Sequence, residues 1–223
     1  MAEKLDIADV LIVGAGPVGL FAALVFSQMG YRIRIIPPDL DKLDRHVERS
    51  GGCRIIPRSM EIIAKHCPDV AEEIEQIAYK TTDFATYYDG KKVNTVSQTD
   101  SICRYKHSYN LPSKRAVELV FEKKLQNLGV NIERSTVVSD LEVEEVEGSG
   151  MYKINPVIVT MQKQPATPTT EIVRARYLIA ADGSRSFCRR KLGISFDGPQ
   201  EVLHMADLGL VGRSTHPDAH NSW

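Results

Sequence analysis

The stretch DVLIVGAGPVGLFAALVFSQMGYRIRII, residues 9–36, decides the fold. It opens with DVLIV, which predicts a short strand that is buried on both faces, as in a parallel sheet. Residues 17–29 are apolar nearly all round and predict a buried helix. Residues 31–36 predict a second strand, which ends at Pro37. Strand, helix and strand in this order form a βαβ unit with a right-handed crossover, so the chain is an α/β protein.

The six residues between the first strand and the helix fit the pattern G-x-G-x-x-G. They are Gly14, Ala15, Gly16, Pro17, Val18 and Gly19. The first glycine of this pattern permits a tight turn, the second lets the backbone approach a pyrophosphate, and the third lets helix and strand pack closely. The N–H groups and the positive dipole at the helix N-terminus attract phosphate. In its strand–turn–helix context the motif predicts a dinucleotide site, and the alternative is a glycine turn without a ligand.

The acidic partner of such a motif is expected at the end of the second strand, on the ribose hydroxyls. This sequence has Pro37 there, and Asp39 is the best substitute. Asp39, Asp41 and Asp44 could equally form a solvated acidic loop, so both interpretations stay open.

A second motif, ARYLIAADGSRSFCRRKLGI, covers residues 175–194. In it a buried strand ends at Asp182 and Gly183, and Arg189 follows on a predicted helix. An acid at the carboxyl end of a parallel strand faces the crevice in which such sheets bind ligands. Gly183 permits the turn, and Arg189 can pair with a phosphate or with Asp182.

Between the two motifs the sequence predicts more helices and strands. After a long loop at 39–58, these are a helix over 59–66 capped by Ser59, a helix over 70–78, a hairpin over 84–96 around Asp89-Gly90, and a helix from Ser113 to Leu128. Strands are predicted over 130–138, 141–147, 153–163 and 171–181, and a last helix over 184–192. The run LEVEEVE at 141–147 indicates a solvated strand face and not a metal site.

Composition narrows the class of protein. Lys and Arg total 28 and Asp and Glu total 29, so no basic excess points to nucleic acid. Four cysteines, Cys53, Cys67, Cys103 and Cys188, have neither C-x-x-C nor zinc spacing, which indicates reduced thiols in a cytoplasmic protein without a metal. Residues 10–31 carry no charge, but the glycines in their first half favour strand, turn and helix over a membrane span.

Together the two motifs resemble those of the flavin-dependent aromatic hydroxylases, the single-component FAD monooxygenases, and most of all the phenol 2-monooxygenase group. GGCRIIPRSMEII (51–63) is similar to the segment after that family's second strand, with Arg58 in register. LPSKRAVELVFEKKLQNLGVNIE (111–133) resembles the family's middle helix and the strand after it. STHPDAH (214–220) distantly resembles the start of the family's substrate region, so the resemblance spans nearly the whole chain.

The resemblance implies a Rossmann-like FAD-binding parallel sheet with an inserted strand-rich, β-meander region, in an incomplete version of the flavin monooxygenase fold. It implies an FAD-binding domain over 1–195, built from the βαβ unit 9–36, inserted helices and strands over 59–170 and the DG-type motif 175–194. The truncated start of a substrate region would occupy 196–223.

The implied function is hydroxylation of a small aromatic, phenolic or polyketide-like molecule in secondary metabolism, with FAD as cofactor, O2, and NADPH as transient electron donor. The implied cofactor-binding residues are Gly14, Ala15, Gly16, Pro17, Val18, Gly19, Asp39, Arg58, Asp182, Gly183 and Arg189. By resemblance Asp182 would serve both FAD and the nicotinamide nucleotide, and Arg58 is either a cofactor or loop contact or a surface salt bridge. The resemblance identifies no catalytic residue here.

Three positions depart from the family's pattern. Pro37 replaces the acid of the second strand. Cys53 stands five residues before Arg58, where the phenol-type enzymes have an Asp near the substrate, and Lys114 stands where relatives have a Gln that touches the flavin. A thiol in place of the carboxylate removes a general base.

Length adds a further expectation. Family members run considerably longer than 223 residues and carry a Gly-Asp segment after the DG-type motif, whereas this sequence has no Gly-Asp pair. We therefore expect weak FAD binding, and sheet edges that either a homodimer or a missing C-terminal segment would cover. Two alternative functions stay open: a truncated, catalytically inactive flavoprotein-like fragment, and an NAD-linked oxidoreductase that uses only the first motif.

Overall fold

A computed structural model describes residues 6–37, 53–97, 102–134, 136–145, 152–163, 169–198, 215–216 and 218. The strands in these residues are β1 (Asp6–Val13), β2 (Ile33–Ile36), β3 (Cys53–Ile55), β4 (Tyr79–Thr81), β5 (Asp83–Tyr88), β6 (Lys91–Ser97), β7 (Ser108–Leu111), β8 (Thr136–Glu145), β9 (Tyr152–Lys163) and β10 (Thr169–Ala180). The helices are α1 (Pro17–Gln28), α2 (Pro57–His66), α3 (Pro68–Ile77), α4 (Lys114–Asn127) and α5 (Phe187–Lys191). The chain divides into two compact units, Met1–Glu48 with Phe121–Leu203, and Arg49–Val120 with His204–Trp223.

The first unit is built on a five-stranded sheet in the order β2-β1-β10-β9-β8. β1 is parallel to both of its neighbours, β2 and β10, while β9 runs antiparallel to β10 and to β8. Val13 pairs with Ile36 on one side and with Ala180 on the other, so the three parallel strands end level at one edge of the sheet. The predicted α/β class, with a parallel sheet and a strand-rich region, is confirmed.

The core of this unit lies on both faces of the sheet. Leu11 and Ile12 are neighbours on β1 and point to opposite faces, and both are 0% exposed, as the apolar run DVLIV predicted. On one side α1 packs against β1 and β2 with Leu20 and Leu24 fully buried. A second apolar cluster joins β1 to the antiparallel strands and includes Met161 of β9.

The second unit contains a three-stranded antiparallel sheet in the order β3-β7-β4, the hairpin β5–β6, and the helices α2 and α3. The hairpin turn is Asp89 and Gly90, with φ of 48° and 72°, which suits the two-residue turn that twisted strands favour. β6 is exposed along its whole length. The hairpin predicted over 84–96 is therefore confirmed, with one more residue at each end.

Two predicted boundaries around 39–58 are wrong. The end of the predicted loop contains β3, which pairs antiparallel with Tyr109–Leu111, a partner too distant in sequence to be recognised by local pattern. Ser59 does not cap α2, because the helix begins at Pro57. The fixed φ of proline suits the first position of a helix, where its missing N–H costs nothing.

Three further expectations are corrected in the second half of the chain. The predicted strands over 130–138 and 141–147 are one strand, β8, and the described residues before it form no strand, although Ile132 makes an isolated bridge to Ile35 of β2. The helix predicted over 184–192 is limited to α5. Leu128, predicted as the last residue of a helix, lies just beyond α4 and is 40% exposed. The start of α4 is confirmed, since Ser113 Oγ accepts a hydrogen bond of 3.2 Å from Ala116 N.

The four cysteines, all among the described residues, form no disulfide; Cys67 and Cys188 are buried and the other two are half-buried. Among the residues that the structure describes, no helix is both long enough and apolar enough to cross a membrane. The same residues bring no three His, Cys, Asp or Glu side chains together in a way that could hold a metal ion.

Candidate functional site

The two sequence motifs meet at the edge where the parallel strands end. Gly14 N donates a hydrogen bond of 2.7 Å to Ile36 O, and Ala181 N donates one of 2.7 Å to Val13 O. The glycine turn after β1 therefore starts beside the first residue after β10. In an open parallel sheet this edge, at the carboxyl ends of the strands, is where ligands bind.

The first and last glycines of the turn are required by space as well as by conformation. Gly14 has a φ of +117°, and a Cβ added there would lie 2.1 Å from the carbonyl oxygen of Ala181. A Cβ on Gly19 would lie 1.8 Å from the oxygen of Gly14 and 3.3 Å from the Cβ of Ala181. No other residue type fits either position, so the turn forms a cradle of bare backbone. Such a cradle fits the close approach of a pyrophosphate.

Helix α1 directs its N-terminus into this cradle. Gly16 is its N-cap and Pro17, which has no N–H, is its first residue. Leu20 N donates to Gly16 O at 2.9 Å, while the N–H groups that precede it in a first helical turn have no acceptor within the helix. Ala15 is half-buried, and the side chain of Val18 is 74% exposed. The arrangement offers N–H donors and a positive dipole end to an anion.

Asp182, directly after the second side of the cradle, has its carboxylate turned toward α5. It is 6% exposed, and its Oδ2 accepts a hydrogen bond of 3.1 Å from Cys188 N. Burial, the largest single influence, raises the pKa of Asp182, but hydrogen bonds from Ser186 and from the N–H groups of Cys188, Asp182 and Phe187 outweigh it and lower the pKa. Gly183 follows with a φ of +86°, and a Cβ there would meet nothing within 4 Å.

Arg189 does not form the ion pair with Asp182 that the sequence allowed. Its Nη1 donates a hydrogen bond of 2.8 Å to Ser184 O, and its guanidinium lies 4.7 Å from the ring centre of Phe196. Its backbone N donates to the Oγ of Ser186, the N-cap of α5, at 2.9 Å. Arg189 thus stabilises the DG turn through local contacts.

Two predicted cofactor residues, Asp39 and Arg58, stay predictions. Asp39 lies outside the described residues. Arg58 belongs to the second unit, where its side chain is 70% exposed and its Nη1 lies 3.4 Å from Glu61 Oε2. That contact is the surface salt bridge that the sequence analysis gave as the alternative to a cofactor or loop contact.

A charged cluster on the sheet of the first unit escaped the sequence analysis. Arg34 of β2 is only 14% exposed and binds both carboxylate oxygens of Glu133 at 2.6 Å and Glu171 Oε1 at 2.7 Å. Lys163 Nζ lies 2.5 Å from the other oxygen of Glu171. Burial alone would lower the pKa of Arg34, but the two carboxylates raise it well above its usual value. The only local signal was an arginine inside the apolar run YRIRII.

In the second unit lies Cys53, where the family resemblance led us to expect a carboxylate. It is half-buried on β3, and burial is the main cause that raises the pKa of its thiol. The charge of Lys114 lowers this pKa and that of Glu118 raises it. The thiol therefore stays protonated near neutral pH and is a poor general base.

The described part of the tail contacts the hairpin of the second unit. Tyr87 donates a hydrogen bond of 2.5 Å to Asp218 Oδ2, and Lys92 Nζ lies 3.0 Å from the same oxygen. The ring of His216 packs edge-on against Tyr87, with 4.9 Å between the ring centres. His220, which the sequence placed at the end of this segment, lies outside the described residues.

Residues 7–222 match the protein family described as FAD binding domain, and the chain belongs to this family. The match covers both sides of the cradle and nearly the whole sequence. It confirms FAD as the predicted cofactor and the flavoprotein family that the two motifs resemble.

Curated relatives of the chain include FAD-dependent monooxygenases. The chain is 29% identical over 227 residues to FAD-dependent monooxygenase ankC of Aspergillus thermomutatus, covering 98% of this chain and 37% of that protein. It is 25% identical over 219 residues to phenol 2-monooxygenase fsqG of Aspergillus fumigatus, covering 98% of this chain and 35% of that protein. The chain thus spans little more than a third of the length of these two relatives.

Solved structures show the same fold. p-Nitrophenol 4-monooxygenase PnpA from Pseudomonas putida has a TM-score of 0.70 at 23% identity, over 88% of this chain and 46% of that chain. The flavin-dependent monooxygenase PieE, solved in complex with FAD and substrate, has a TM-score of 0.68 at 24% identity, over 89% of this chain and 34% of that chain. Over the matched part, the chain has the fold of the flavin monooxygenases.

Proposed function

We propose that this chain serves in the FAD-dependent hydroxylation of a small aromatic or phenolic molecule, with NAD(P)H and O2 as co-substrates. One observation carries the proposal: the backbone cradle at Gly14–Gly19, closed by Ala181 and facing the N-terminus of α1. Such a cradle is built for a dinucleotide pyrophosphate. The reaction class is supported by the names of the relatives, which include a phenol and a p-nitrophenol monooxygenase.

The residues of this chain would bind and orient the cofactor. The glycines of the cradle let the pyrophosphate reach the backbone, and the first-turn N–H groups of α1 donate hydrogen bonds to it. Asp39 is the proposed partner of the ribose hydroxyls, and Gly183 and Arg189 would shape the turn beside the cofactor. Arg58 would be a cofactor contact if its salt bridge with Glu61 opens.

When bound, FAD supplies the electron transfer and the oxygen chemistry of hydroxylation. NADPH as the electron donor, a role in secondary metabolism and a cytoplasmic location are finer parts of the same proposal and rest on the family resemblance. So do the division into an FAD-binding domain at 1–195 and the start of a substrate region at 196–223, and the association of the chain with a second copy.

A charge placed at the mouth of the cradle tests the binding site without disturbing the core. Val18 is 74% exposed in the first turn of α1, and Met29, directly after its last turn, is 64% exposed. Val18→Glu should weaken FAD binding by about tenfold, because a carboxylate repels the pyrophosphate while it suits the helix dipole. Met29→Glu is the matched control and should leave the affinity unchanged. Flavin fluorescence quenching measures both.

Each outcome of that titration has a distinct meaning. Saturable binding that Val18→Glu weakens and Met29→Glu does not would place the pyrophosphate at the cradle. Equal affinities for the two variants would show that FAD binds elsewhere, and no change in the flavin spectrum at any protein concentration would refute FAD binding by this chain.

A second candidate function, a flavoprotein that does not hydroxylate, is favoured by Cys53. The thiol is protonated where the phenol-type relatives are expected to have a carboxylate near the substrate. NADPH oxidation with a panel of phenols, together with mass spectrometry of the products, separates the two candidates. Product formed by Cys53→Asp but by neither the native chain nor Cys53→Ser would support the second candidate.

A further inference from the structure

The carboxylate of Asp182 is buried and directed toward donors of its own chain. It is 6% exposed and accepts hydrogen bonds from the hydroxyl of Ser186 and from the N–H groups of Cys188, Phe187 and Asp182 itself. A carboxylate has roughly four lone-pair sites for hydrogen bonds. These internal donors occupy part of that capacity, and a ligand hydroxyl or amide would compete with them for the carboxylate.

These hydrogen bonds close the turn that follows β10. The residues from 182 to 188 fold back so that Asp182 and the N-cap Ser186 together satisfy the first N–H groups of α5. A carboxylate is well suited to this position, because its negative charge also interacts favourably with the positive end of the helix dipole.

The closed turn holds the residue against which the cradle is built. Ala181 directly precedes Asp182, and its carbonyl oxygen occupies the space that a Cβ on Gly14 would need, at 2.1 Å. The Cβ of Ala181 also lies against Gly19, 3.3 Å from where a Cβ would be. A shift of Ala181 would therefore move both ends of the Gly14–Gly19 turn.

We infer that Asp182 is a positioning residue: it fixes Ala181 by capping α5, and Ala181 in turn fixes the Gly14–Gly19 backbone that binds the pyrophosphate. This role rests on the proposed function of the cradle. It differs from the direct contact with FAD and the nicotinamide nucleotide that the family resemblance implied. In this chain the contacts to the cofactor come from the turn backbone, and the carboxylate acts through it.

Hydrogen exchange of the whole chain without FAD tests the positioning directly. Asp182→Ala should raise amide exchange by about tenfold both in peptides over 187–193 and in peptides over 14–20, because loss of a cap frees the turn and then the cradle. Ser186→Ala should raise exchange in both segments by a smaller factor. The control is Val159→Ala, which truncates a fully buried side chain on β9 and should leave the ratio of exchange between 14–20 and β1 unchanged.

The result that would overturn the inference is faster exchange confined to 187–193, with 14–20 protected as in the native chain. If Asp182→Ala does not fold, Asp182→Asn takes its place. The amide keeps one acceptor oxygen but turns a donor toward the N–H groups of α5, so it should have a partial effect on both segments.

FAD titration of the same variants separates positioning from direct contact. Positioning predicts that Asp182→Ala weakens FAD binding about tenfold, that Ser186→Ala weakens it less, and that their effects are not additive. Direct contact predicts that Ser186→Ala has no effect on FAD affinity. If the native chain binds no FAD, the proposed function fails, and the exchange experiment still decides whether Asp182 positions the cradle.

Discussion

The turns at Gly14 and Gly90 both contain glycine at positive φ, and they depend on it for different reasons. Gly14 opens the cradle with a φ of +117°, and Gly90 closes the hairpin with a φ of +72°. A Cβ on Gly90 would meet nothing within 4 Å, whereas on Gly14 it would meet the backbone of Ala181 at 2.1 Å. The hairpin turn needs glycine for its own conformation, while the cradle needs it for a contact with a distant part of the chain.

The ion pairs on the strands next to the two turns differ in how exposed they are to solvent. Arg34, on the strand next to the cradle, is 14% exposed and holds two carboxylates. Lys92, on the hairpin, is 43% exposed and holds Asp218 together with Tyr87. The network at Arg34 is therefore partly buried, whereas the network at Lys92 lies nearer the surface.

The largest expected effect comes from adding a methyl group to each turn. Gly90→Ala should reduce the free energy of unfolding by about 1–2 kcal/mol, the cost of the left-handed conformation for an L-residue. Gly14→Ala adds a backbone overlap to that cost and should lose about 3–5 kcal/mol or fail to fold. Urea denaturation followed by circular dichroism measures both. Equal losses would show that Gly14 is needed only for its conformation and would remove the distinction between the turns.

Removing the cation of each network, Arg34 or Lys92, should have an intermediate effect on the free energy of unfolding. Arg34→Met leaves Glu133 and Glu171 partly buried without their main partner and should cost about 2–3 kcal/mol, less than a fully buried pair because solvent reaches the carboxylates. Lys92→Met should have a much smaller effect, and 1 M NaCl should remove most of it. The measurement is again the free energy of unfolding at low and high salt. A salt-sensitive loss in Arg34→Met would mean that its network is as solvated as that of the hairpin.

The smallest effect concerns the pH dependence of the hairpin network. The hydrogen bond to Asp218 is the main cause that raises the pKa of Tyr87, so its contribution to stability is present below the usual pKa of 10.0 and is lost as pH rises through the raised value. The hydrogen bond from Tyr87 is likewise the main cause that lowers the pKa of Asp218, whose contribution is present above pH 3.8 and is lost as pH falls through the lowered value.

Tyrosine absorbance at alkaline pH measures this coupling. Asp218→Asn should return the pKa of Tyr87 toward 10.0, and Tyr87→Phe identifies which titration step belongs to this residue. An unchanged titration in Asp218→Asn would show that the described tail does not stay on the hairpin in solution.

Much of the fold could be predicted because its signals are local. The βαβ unit, the hairpin and the start of α4 each depend on a periodicity or a turn residue within a few positions, and all three are confirmed. The errors share the opposite property. β3 exists because it pairs with β7, and β8 is continuous because β9 pairs along it, and neither partner is visible in a short window of sequence.

The glycines of the candidate site could be located from the sequence, but the directions and contacts of its side chains could not. Spacing alone located the cradle at Gly14–Gly19 and the turn at Asp182. It did not show that the carboxylate of Asp182 turns toward α5, or that Arg189 contacts Phe196, because a side chain's direction depends on what surrounds it. The Arg34 network was missed entirely, since its two carboxylates come from segments that meet only in the folded sheet.

The sequence by itself determined that this protein has a nucleotide-binding βαβ unit and a DG-type motif, and that it resembles a family of FAD-binding proteins. These features are encoded in short, contiguous patterns. Only the tertiary structure decided that the two motifs form one cradle. The level ending of β1 and β10 brings Ala181 against Gly14, and the close packing of two backbones leaves no room for a Cβ. The sequence shows that glycine occupies position 14, and the contact with Ala181 in the folded chain explains why no larger residue can replace it.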